Sequence, residues 1–258
     1  MAKKLKIAGD LAIEVTQRCN LNCDHCLRGC SRNKNISYEV IDKILDNYAH
    51  ISSILFTGGE PTLNVEAISY TIDQIKKRGI SVGCFYVVTN GVQFSKELVW
   101  KLLEFYAYCS EKDFCGLCIS VDEFHQNLSQ EAYDMYSGLA FFRNDKEHSN
   151  GWDGEIINRG NAMEYGLGTF DKSIGEFSPD CAEMWDDHIQ YDNILYVNVD
   201  GWVFFDCDLS YDMQDKNHTI NVKDDSIAEW MFAEMYENDC LSYEPSADEL
   251  AEYGLMPV

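Results

Sequence analysis

The chain has 258 residues, of which 46% are hydrophobic and 13% are aromatic. This length suits one large domain, or one domain with a small appendage, and the hydrophobic content can fill a core, so a disordered chain is excluded. A net charge of −24, from 44 acidic and 20 basic residues, would repel nucleic acid phosphates, and no basic patch interrupts it.

We interpret this negative charge as a means of solubility. Attraction to a basic substrate or partner is the alternative interpretation. No apolar run approaches the length of a membrane span, and the basic first residues precede an alternating strand rather than an apolar signal segment. The eleven cysteines are an odd number. Without a secretion signal they indicate a reducing compartment, where cysteines serve metals or catalysis. We therefore expect a cytoplasmic protein without membrane contact.

Strand and helix patterns alternate along the first part of the chain. Strands are predicted at 10–16, 53–56, 82–88, 116–121 and 155–157, and helices at 38–49, 65–78, 96–105 and 129–142. This βα alternation predicts an α/β fold with parallel strands and right-handed helical crossovers. After Gly160 the rhythm changes. A hairpin around Asp200-Gly201 and a helix at 226–236 are predicted there.

Four unusual loops follow the predicted strands. They are a cysteine loop, Gly58-Gly59-Glu60-Pro61, Thr89-Asn90-Gly91, and the segment from Ser120 through Asp122 to His125. In sheets of this type, ligands bind at the carboxyl ends of the strands. The sequence therefore predicts one site at one edge of the sheet.

The cysteine loop contains Cys19, Cys23 and Cys26, spaced C-x3-C-x2-C. Soft thiolates select iron–sulfur clusters or zinc. Three sulfurs hold three irons of a four-iron cubane and leave one iron open, whereas a structural zinc site needs four ligands. Cys30 or His25 could complete a zinc knuckle, but a loop between a strand and a helix at the ligand-binding edge favours the cluster.

This spacing, together with Gly58-Gly59-Glu60-Pro61, resembles the signature of the radical S-adenosylmethionine (SAM) enzymes. The resemblance covers 10–162 well and 178–232 weakly. It implies a partial (β/α)6 barrel over residues 1–165, and a C-terminal extension with a small β-hairpin and a helix over residues 166–258. It also implies a [4Fe–4S] cluster on Cys19, Cys23 and Cys26, with SAM as the second cofactor.

The same resemblance implies contacts with SAM. His25, where the family usually has an aromatic residue, would lie near the adenine, and the loop of Gly58, Gly59, Glu60 and Pro61 would receive the methionine amino group. Thr89 and Asn90 would approach the methionine or ribose, Ser120 and Asp122 the ribose or carboxylate, and Arg159 the carboxylate. Asp122 and His125 are also candidates for the substrate side. The alternatives are a surface histidine at 125 and a solvent-exposed arginine at 159.

The C-terminal segment resembles the SPASM or twitch extensions of radical SAM maturases through Cys181, Gly201 and Cys207. The dense cysteine cluster that should follow is missing, and only Cys240 remains, so we predict no auxiliary cluster. Four further cysteines occupy helix or strand positions and are predicted to be buried free thiols: Cys84, Cys109, Cys115 and Cys118.

The resemblance implies that the reduced cluster cleaves SAM to a 5′-deoxyadenosyl radical, which takes hydrogen from a substrate. It also implies a one-electron reductant such as flavodoxin or ferredoxin. The SPASM-like tail favours a peptide or protein substrate. A small metabolite or nucleotide, activation of a glycyl-radical enzyme, and a non-enzymatic metal or iron–sulfur sensor are the alternatives.

Overall fold

A single mixed sheet runs through the computed structural model, which describes residues 5–121, 124–125, 128–143, 155–185, 187–253 and 255. The strands in these residues are β1 (Lys6–Thr16), β2 (Tyr48–Gly58), β3 (Ser81–Thr89), β4 (Gly116–Ile119), β5 (Phe142–Arg143), β6 (Ala182–Met184), β7 (His188–Val197), β8 (Trp202–Phe204) and β9 (Ile220–Asn221). Their order is β5-β4-β3-β2-β1-β7-β8-β9, with β6 paired to β7. Within the described ranges β5 and β9 end the sheet, so it forms a partial rather than a closed barrel.

The parallel α/β fold predicted from the sequence is confirmed. Strands β1 to β5 and β7 are parallel, whereas β6, β8 and β9 are antiparallel to their neighbours. The helices that connect or cover them are α1 (Tyr38–Asp46), α2 (Val65–Arg78), α3 (Lys96–Tyr108), α4 (Gln130–Ser137), α5 (Gly160–Glu164), α6 (Tyr211–Gln214), α7 (Ile227–Glu237) and α8 (Ala247–Glu252). None of the helices in the described ranges is long and apolar enough to cross a bilayer.

The sixth parallel strand is β7, which was predicted only as one arm of the C-terminal hairpin. It pairs with β1 on the side opposite β2, with Leu11 beside Leu195 and Ile13 beside Val197. Strand β1 is therefore central and is buried on both faces. Alternate residues of β1 belong to different apolar clusters, with Leu11 and Ile13 in the main core and Ala12 in a smaller cluster beside Tyr196.

Serine side chains cap the first turns of several helices. The Ser37 hydroxyl accepts the N–H of Val40 at 3.3 Å, and Ser226 caps α7 in the same way. Asn64 does not cap α2 with its side chain, because its amide donates instead to the carbonyl oxygen of Val15 at 2.6 Å. This bond ties the start of α2 to the end of β1.

Several predicted elements are shorter than expected. The helix predicted at 38–49 ends at Asp46, because Tyr48–Gly58 forms β2. The helix predicted at 129–142 ends at Ser137, and a turn then leads into β5. The strand predicted at 155–157 is reduced to an isolated bridge between Ile157 and Phe170. The last two segments border residues outside the described ranges.

Candidate active site

The loop after β1 carries the three predicted cluster ligands. Cys19, Cys23 and Cys26 are half-buried, and the N–H of Cys26 donates to the carbonyl oxygen of Cys23 at 3.1 Å. The N–H of Leu21 and the side-chain amide of Asn90 approach the Cys19 sulfur at 3.5 and 3.9 Å. Burial raises the pKa of the Cys19 thiol, and these two donors partly oppose that effect.

The first residues of α5 hold this loop from the side. The Asn161 side-chain amide donates to the carbonyl oxygen of Cys23 at 3.0 Å, and its backbone N–H donates to that of Cys26 at 2.9 Å. Gly160 has a φ of 56°, and a Cβ there would lie 2.4 Å from the carbonyl oxygen of Leu27. Only glycine fits this contact, so the loop and α5 interlock through their backbones.

A cavity of about 380 Å³ opens at the carboxyl ends of the parallel strands. It is where the predicted ligand-binding loops meet. The predicted site residues that line it are Cys19, Cys23, His25, Cys26, Gly58, Gly59, Glu60, Pro61, Thr89, Asn90, Ser120 and His125. Asp122 lies outside the described residues. The sequence thus located this cavity, although the role of each residue stays a prediction.

Glu60 presents a buried carboxylate to the cavity. Its Oε1 accepts the N–H and hydroxyl of Thr62 at 3.1 and 2.6 Å and the hydroxyl of Thr89 at 2.8 Å. Its Oε2 accepts the N–H of Asn90 at 2.8 Å. In the described part of the chain no lysine or arginine pairs with it. Neutral donors therefore fix an acidic group that is suited to an incoming ammonium.

The two glycines before Glu60 let β2 approach the cysteine loop. A Cβ on Gly59 would lie 2.3 Å from the carbonyl oxygen of Arg18, and one on Gly58 would lie 2.1 Å from that of Thr16. The N–H of Gly59 donates to Thr16 and that of Glu60 to Arg18, both at 2.8 Å. The position of Glu60 relative to the cysteines depends on this close approach.

An aromatic group covers another part of the site. The His25 ring stacks on Phe124 with centroids 4.4 Å apart, and its edge faces His125 at 5.1 Å. The loops after β1 and β4 are thereby brought together. Ser120, at the end of β4, donates its N–H to the carbonyl oxygen of Thr89 at 2.9 Å.

Arg159 is buried and is not among the residues that line the cavity. Its guanidinium pairs with Asp206 at 3.2 Å, and it also donates to the carbonyl oxygens of Lys172, Ser173 and Asp208. This geometry corrects the sequence interpretation. Protein acceptors take up the N–H donors of the guanidinium, which binds the C-terminal segment. The guanidinium faces neither the cavity nor the solvent.

Among the cavity-lining residues that the sequence did not assign to the site, four have charged or titratable side chains. They are Arg28, Cys207, Asp208 and Tyr211. Arg28 follows the third cysteine by two positions, and nothing in that spacing separates it from a surface arginine. The other three come from the segment after β8, whose approach to the cysteine loop depends on the β1–β7 pairing.

The remaining cysteines differ in environment. Cys84, Cys109, Cys115 and Cys118 are buried free thiols, as predicted. A hydrogen bond from Cys109 holds the pKa of the Cys115 thiol below its usual value. Burial raises the pKa of Cys207, at the cavity wall, to about 11.

The donor set fits the cluster that the motif implies. Among the described residues, no three His, Cys, Asp or Glu side chains converge on a single metal ion. Three cysteines on a cubane bind three different irons, so their sulfurs need not meet at one point. Three half-buried thiols on one loop beside a shared cavity satisfy that requirement, and Cys30 is exposed outside the group.

Two curated relatives resemble part of the chain. A GTP 3′,8-cyclase of Clostridium acetobutylicum is 37% identical over 97 residues, which are 34% of this chain and 30% of that protein. A tungsten-containing aldehyde ferredoxin oxidoreductase cofactor-modifying protein of Pyrococcus furiosus is 32% identical over 100 residues, which are 36% of this chain and 27% of that protein. The match thus spans roughly a third of the length of these relatives.

A solved structure described as native anSMEcpe with bound AdoMet and Cp18Cys peptide has a similar fold. The TM-score is 0.53, with 15% identity, over 87% of this chain and 80% of that one. At this identity the likeness concerns the fold alone. Residues 13–131, which include the cysteine loop and the ends of β2, β3 and β4, match the model of the Radical SAM superfamily. This match implies a [4Fe–4S] cluster and SAM as cofactors, and the matched segment is similar to the radical SAM superfamily.

Proposed function

We propose that this protein is a radical SAM enzyme that cleaves SAM reductively and removes hydrogen from a substrate. When bound, the cluster supplies the electron that splits SAM into methionine and a 5′-deoxyadenosyl radical. The observation that supports this most is the single cavity shared by the three cysteines and the Glu60 loop. The protein's own part is to hold, orient and shield these groups.

Individual residues would divide this work. Cys19, Cys23 and Cys26 would hold the cluster. Glu60 would receive the methionine ammonium, and His25 would contact the adenine. Thr89 and Asn90 act through Glu60, because both donate hydrogen bonds to its carboxylate. Ser120 and Asp122 remain candidates for the ribose or carboxylate, and Asp122 and His125 for the substrate side.

We propose a peptide or protein as the substrate. The structural neighbour with the same fold is described with a peptide bound. A nucleotide is the second candidate, because one relative is a GTP 3′,8-cyclase. A flavodoxin- or ferredoxin-like protein would supply the electron. Location in the cytoplasm remains part of the proposal.

We further propose that residues 1–165 form the radical SAM core and residues 166–258 a SPASM- or twitch-like extension. The extension contributes Cys207, Asp208 and Tyr211 to the cavity wall. We propose that Cys181, Cys207 and Cys240 hold no auxiliary cluster, because Cys207 lines this cavity while Cys181 and Cys240 pack against the main core.

The test is anaerobic reconstitution with iron and sulfide, followed by reduction in the presence of SAM. We expect close to four irons per chain and release of 5′-deoxyadenosine. Cys23→Ala should abolish both. The matched control is Cys30→Ala, which removes an exposed thiol of the same loop and should keep both. Adding peptide mixtures or GTP and measuring the rise in 5′-deoxyadenosine compares the two substrate classes.

Zinc in place of iron, lost equally in Cys23→Ala and Cys30→Ala, would show a closed four-ligand site and contradict the proposal. Loss of about half the iron in Cys181→Ala and Cys207→Ala would contradict the single-cluster proposal while leaving the SAM chemistry intact.

A further inference from the structure

The cavity contains an arginine that has no acidic partner among the described residues. Arg28 lines the cavity, its Nη1 donates to the carbonyl oxygen of Leu209 at 2.6 Å, and its Cζ lies 4.9 Å above the centre of the Tyr196 ring. In the described part of the chain no carboxylate forms an ion pair with it. A guanidinium has five N–H donors, and these contacts hold it in place while occupying only one of them.

The acids near Arg28 are already engaged. Asp206 pairs with Arg159 at 3.2 Å and with Lys172 at 3.1 Å, and Asp208 pairs with Lys172 at 2.5 Å. These two acids and two bases balance one another. The C-terminal wall of the cavity therefore gives no direct counter-ion to Arg28.

Among the described residues Glu14 is another acid near Arg28, and Tyr196 lies between them. The face of the Tyr196 ring contacts Arg28, while its hydroxyl donates to Glu14. The same carboxylate oxygen accepts the amide of Gln214 at 3.0 Å. Glu14 thus attracts Arg28 through space without satisfying the N–H donors of its guanidinium.

The strands next to Glu60 and to the contacts of Arg28 lie on opposite sides of β1. Glu60 follows β2, whereas the contacts of Arg28 belong to β7 and to the segment before α6. Neighbouring strands are about 4.8 Å apart, so β2 and β7 are separated by about 10 Å. The amino and carboxyl groups of one methionine share a carbon atom. A methionine held at Glu60 by its ammonium therefore leaves Arg28 to a second molecule.

We propose that Arg28 binds an anionic group of the substrate, a carboxylate or a phosphate. The planar guanidinium can hold either group through two parallel hydrogen bonds. The net charge of −24 repels anions at long range, so an anionic substrate requires a local cation of this kind. This inference rests on the proposed function and narrows its substrate class.

The test uses cluster-loaded protein saturated with SAM and titrated with inorganic phosphate by calorimetry. We expect Arg28→Gln to weaken phosphate binding at least tenfold and Arg28→Lys to weaken it less, because lysine keeps the charge without the planar fork. The matched control is Arg32→Gln. Arg32 lies on the same loop but already pairs with Asp212 and Asp215 at 2.7 and 2.8 Å, so its loss should change phosphate affinity less than twofold.

Equal phosphate affinity in Arg28→Gln and the unmodified protein would overturn the anion site. Weaker binding of SAM, but not of decarboxylated SAM, in Arg28→Gln would assign Arg28 to the cofactor carboxylate and overturn the substrate assignment. Circular dichroism and iron content check that both Arg28 variants fold. Release of 5′-deoxyadenosine by the unmodified protein is measured separately, so failure of the proposed SAM chemistry is seen independently of phosphate binding.

Discussion

The side-chain amide of Asn161 donates to the carbonyl oxygen of Cys23 at 3.0 Å, across 138 residues of sequence. Its backbone N–H holds Cys26 in the same way. Two of the three proposed cluster ligands are therefore positioned by α5, which contributes no ligand itself. The shape of the cysteine loop depends on the fold of the later chain.

Replacing Asn161 should loosen the cluster. Asn161→Ala removes the donor to Cys23 and keeps all three thiols, and groups that orient metal ligands typically contribute 10- to 100-fold in metal affinity. We expect iron release to a chelator to be faster by about that factor. The control is Asn158→Ala, whose amide bonds to Asp171 near the surface. Equal release from both variants would contradict a positioning role.

Glu60→Gln should weaken SAM binding. The substitution removes the acidic group and turns an amide donor toward the donors that Glu60 now accepts from. A hydrogen bond to a charged group contributes about 1.5–3 kcal/mol, which corresponds to a loss of roughly 10- to 100-fold in affinity. Calorimetry with the cluster-loaded protein measures this, with Glu66→Gln on the exposed first turn of α2 as control. Unchanged affinity in Glu60→Gln would exclude the ammonium contact.

Gly59→Ala should lower the free energy of unfolding. The added Cβ would lie 2.3 Å from the backbone oxygen of Arg18, so the cysteine loop or β2 must move, and overpacking of this kind costs about 1–3 kcal/mol. Urea denaturation measures the loss. Gly138→Ala is the control, because its nearest neighbour would be 3.7 Å away and its φ is −77°. Equal stability of the two variants would show that the backbone approach is not tight.

The contribution of Asp206 to stability should depend on pH. Burial raises the pKa of Asp206, but the N–H of Asp208 and the side chains of Lys172 and Arg159 outweigh it and hold the pKa below its usual range. A lowered pKa in the folded state stabilises the fold above the unfolded value of about 3.9, and this contribution is lost as the pH falls through the folded value. Asp206→Asn should cost about 3–5 kcal/mol at pH 7, because it leaves the buried Arg159 unpaired.

Urea denaturation at pH 7, 5 and 3.5 tests this. The difference in unfolding free energy between the protein and Asp206→Asn should be constant from pH 7 to 5 and should shrink by pH 3.5. Asp212→Asn, an exposed partner of Arg32, serves as the control with a small effect throughout. A difference that grows toward acid pH would show that folding raises the pKa of Asp206 rather than lowering it.

Local patterns were sufficient to predict much of the fold. The ranges of most helices and the parallel alternation were readable because hydrophobic periodicity depends on nearby residues. The pairing of β1 with β7 could not be predicted from the sequence. Strand β7 is continuously apolar only at 194–197, and its pairing with Leu11 and Ile13 is decided by the packing of the whole sheet.

In the site, too, features that depend on nearby residues were predictable and features that depend on distant residues were not. Cysteine spacing and the Gly58-Gly59-Glu60 loop located the cavity, because both depend on short chain segments at strand ends. Arg159 was misjudged, and Arg28 was not assigned to the site, for the opposite reason. Arg159 pairs with Asp206, and Arg28 lies over the Tyr196 ring. Neither partner can be inferred from the residues beside the arginine.

Strand β1 pairs with β7, which begins at His188. The edge of β1 that faces β7 therefore has no partner while the ribosome is still making the middle of the chain. At 5–20 residues per second, that edge waits roughly 10–35 s for β7 to emerge. An open central strand is a template for aggregation. We therefore expect the nascent chain to need chaperone cover during this interval.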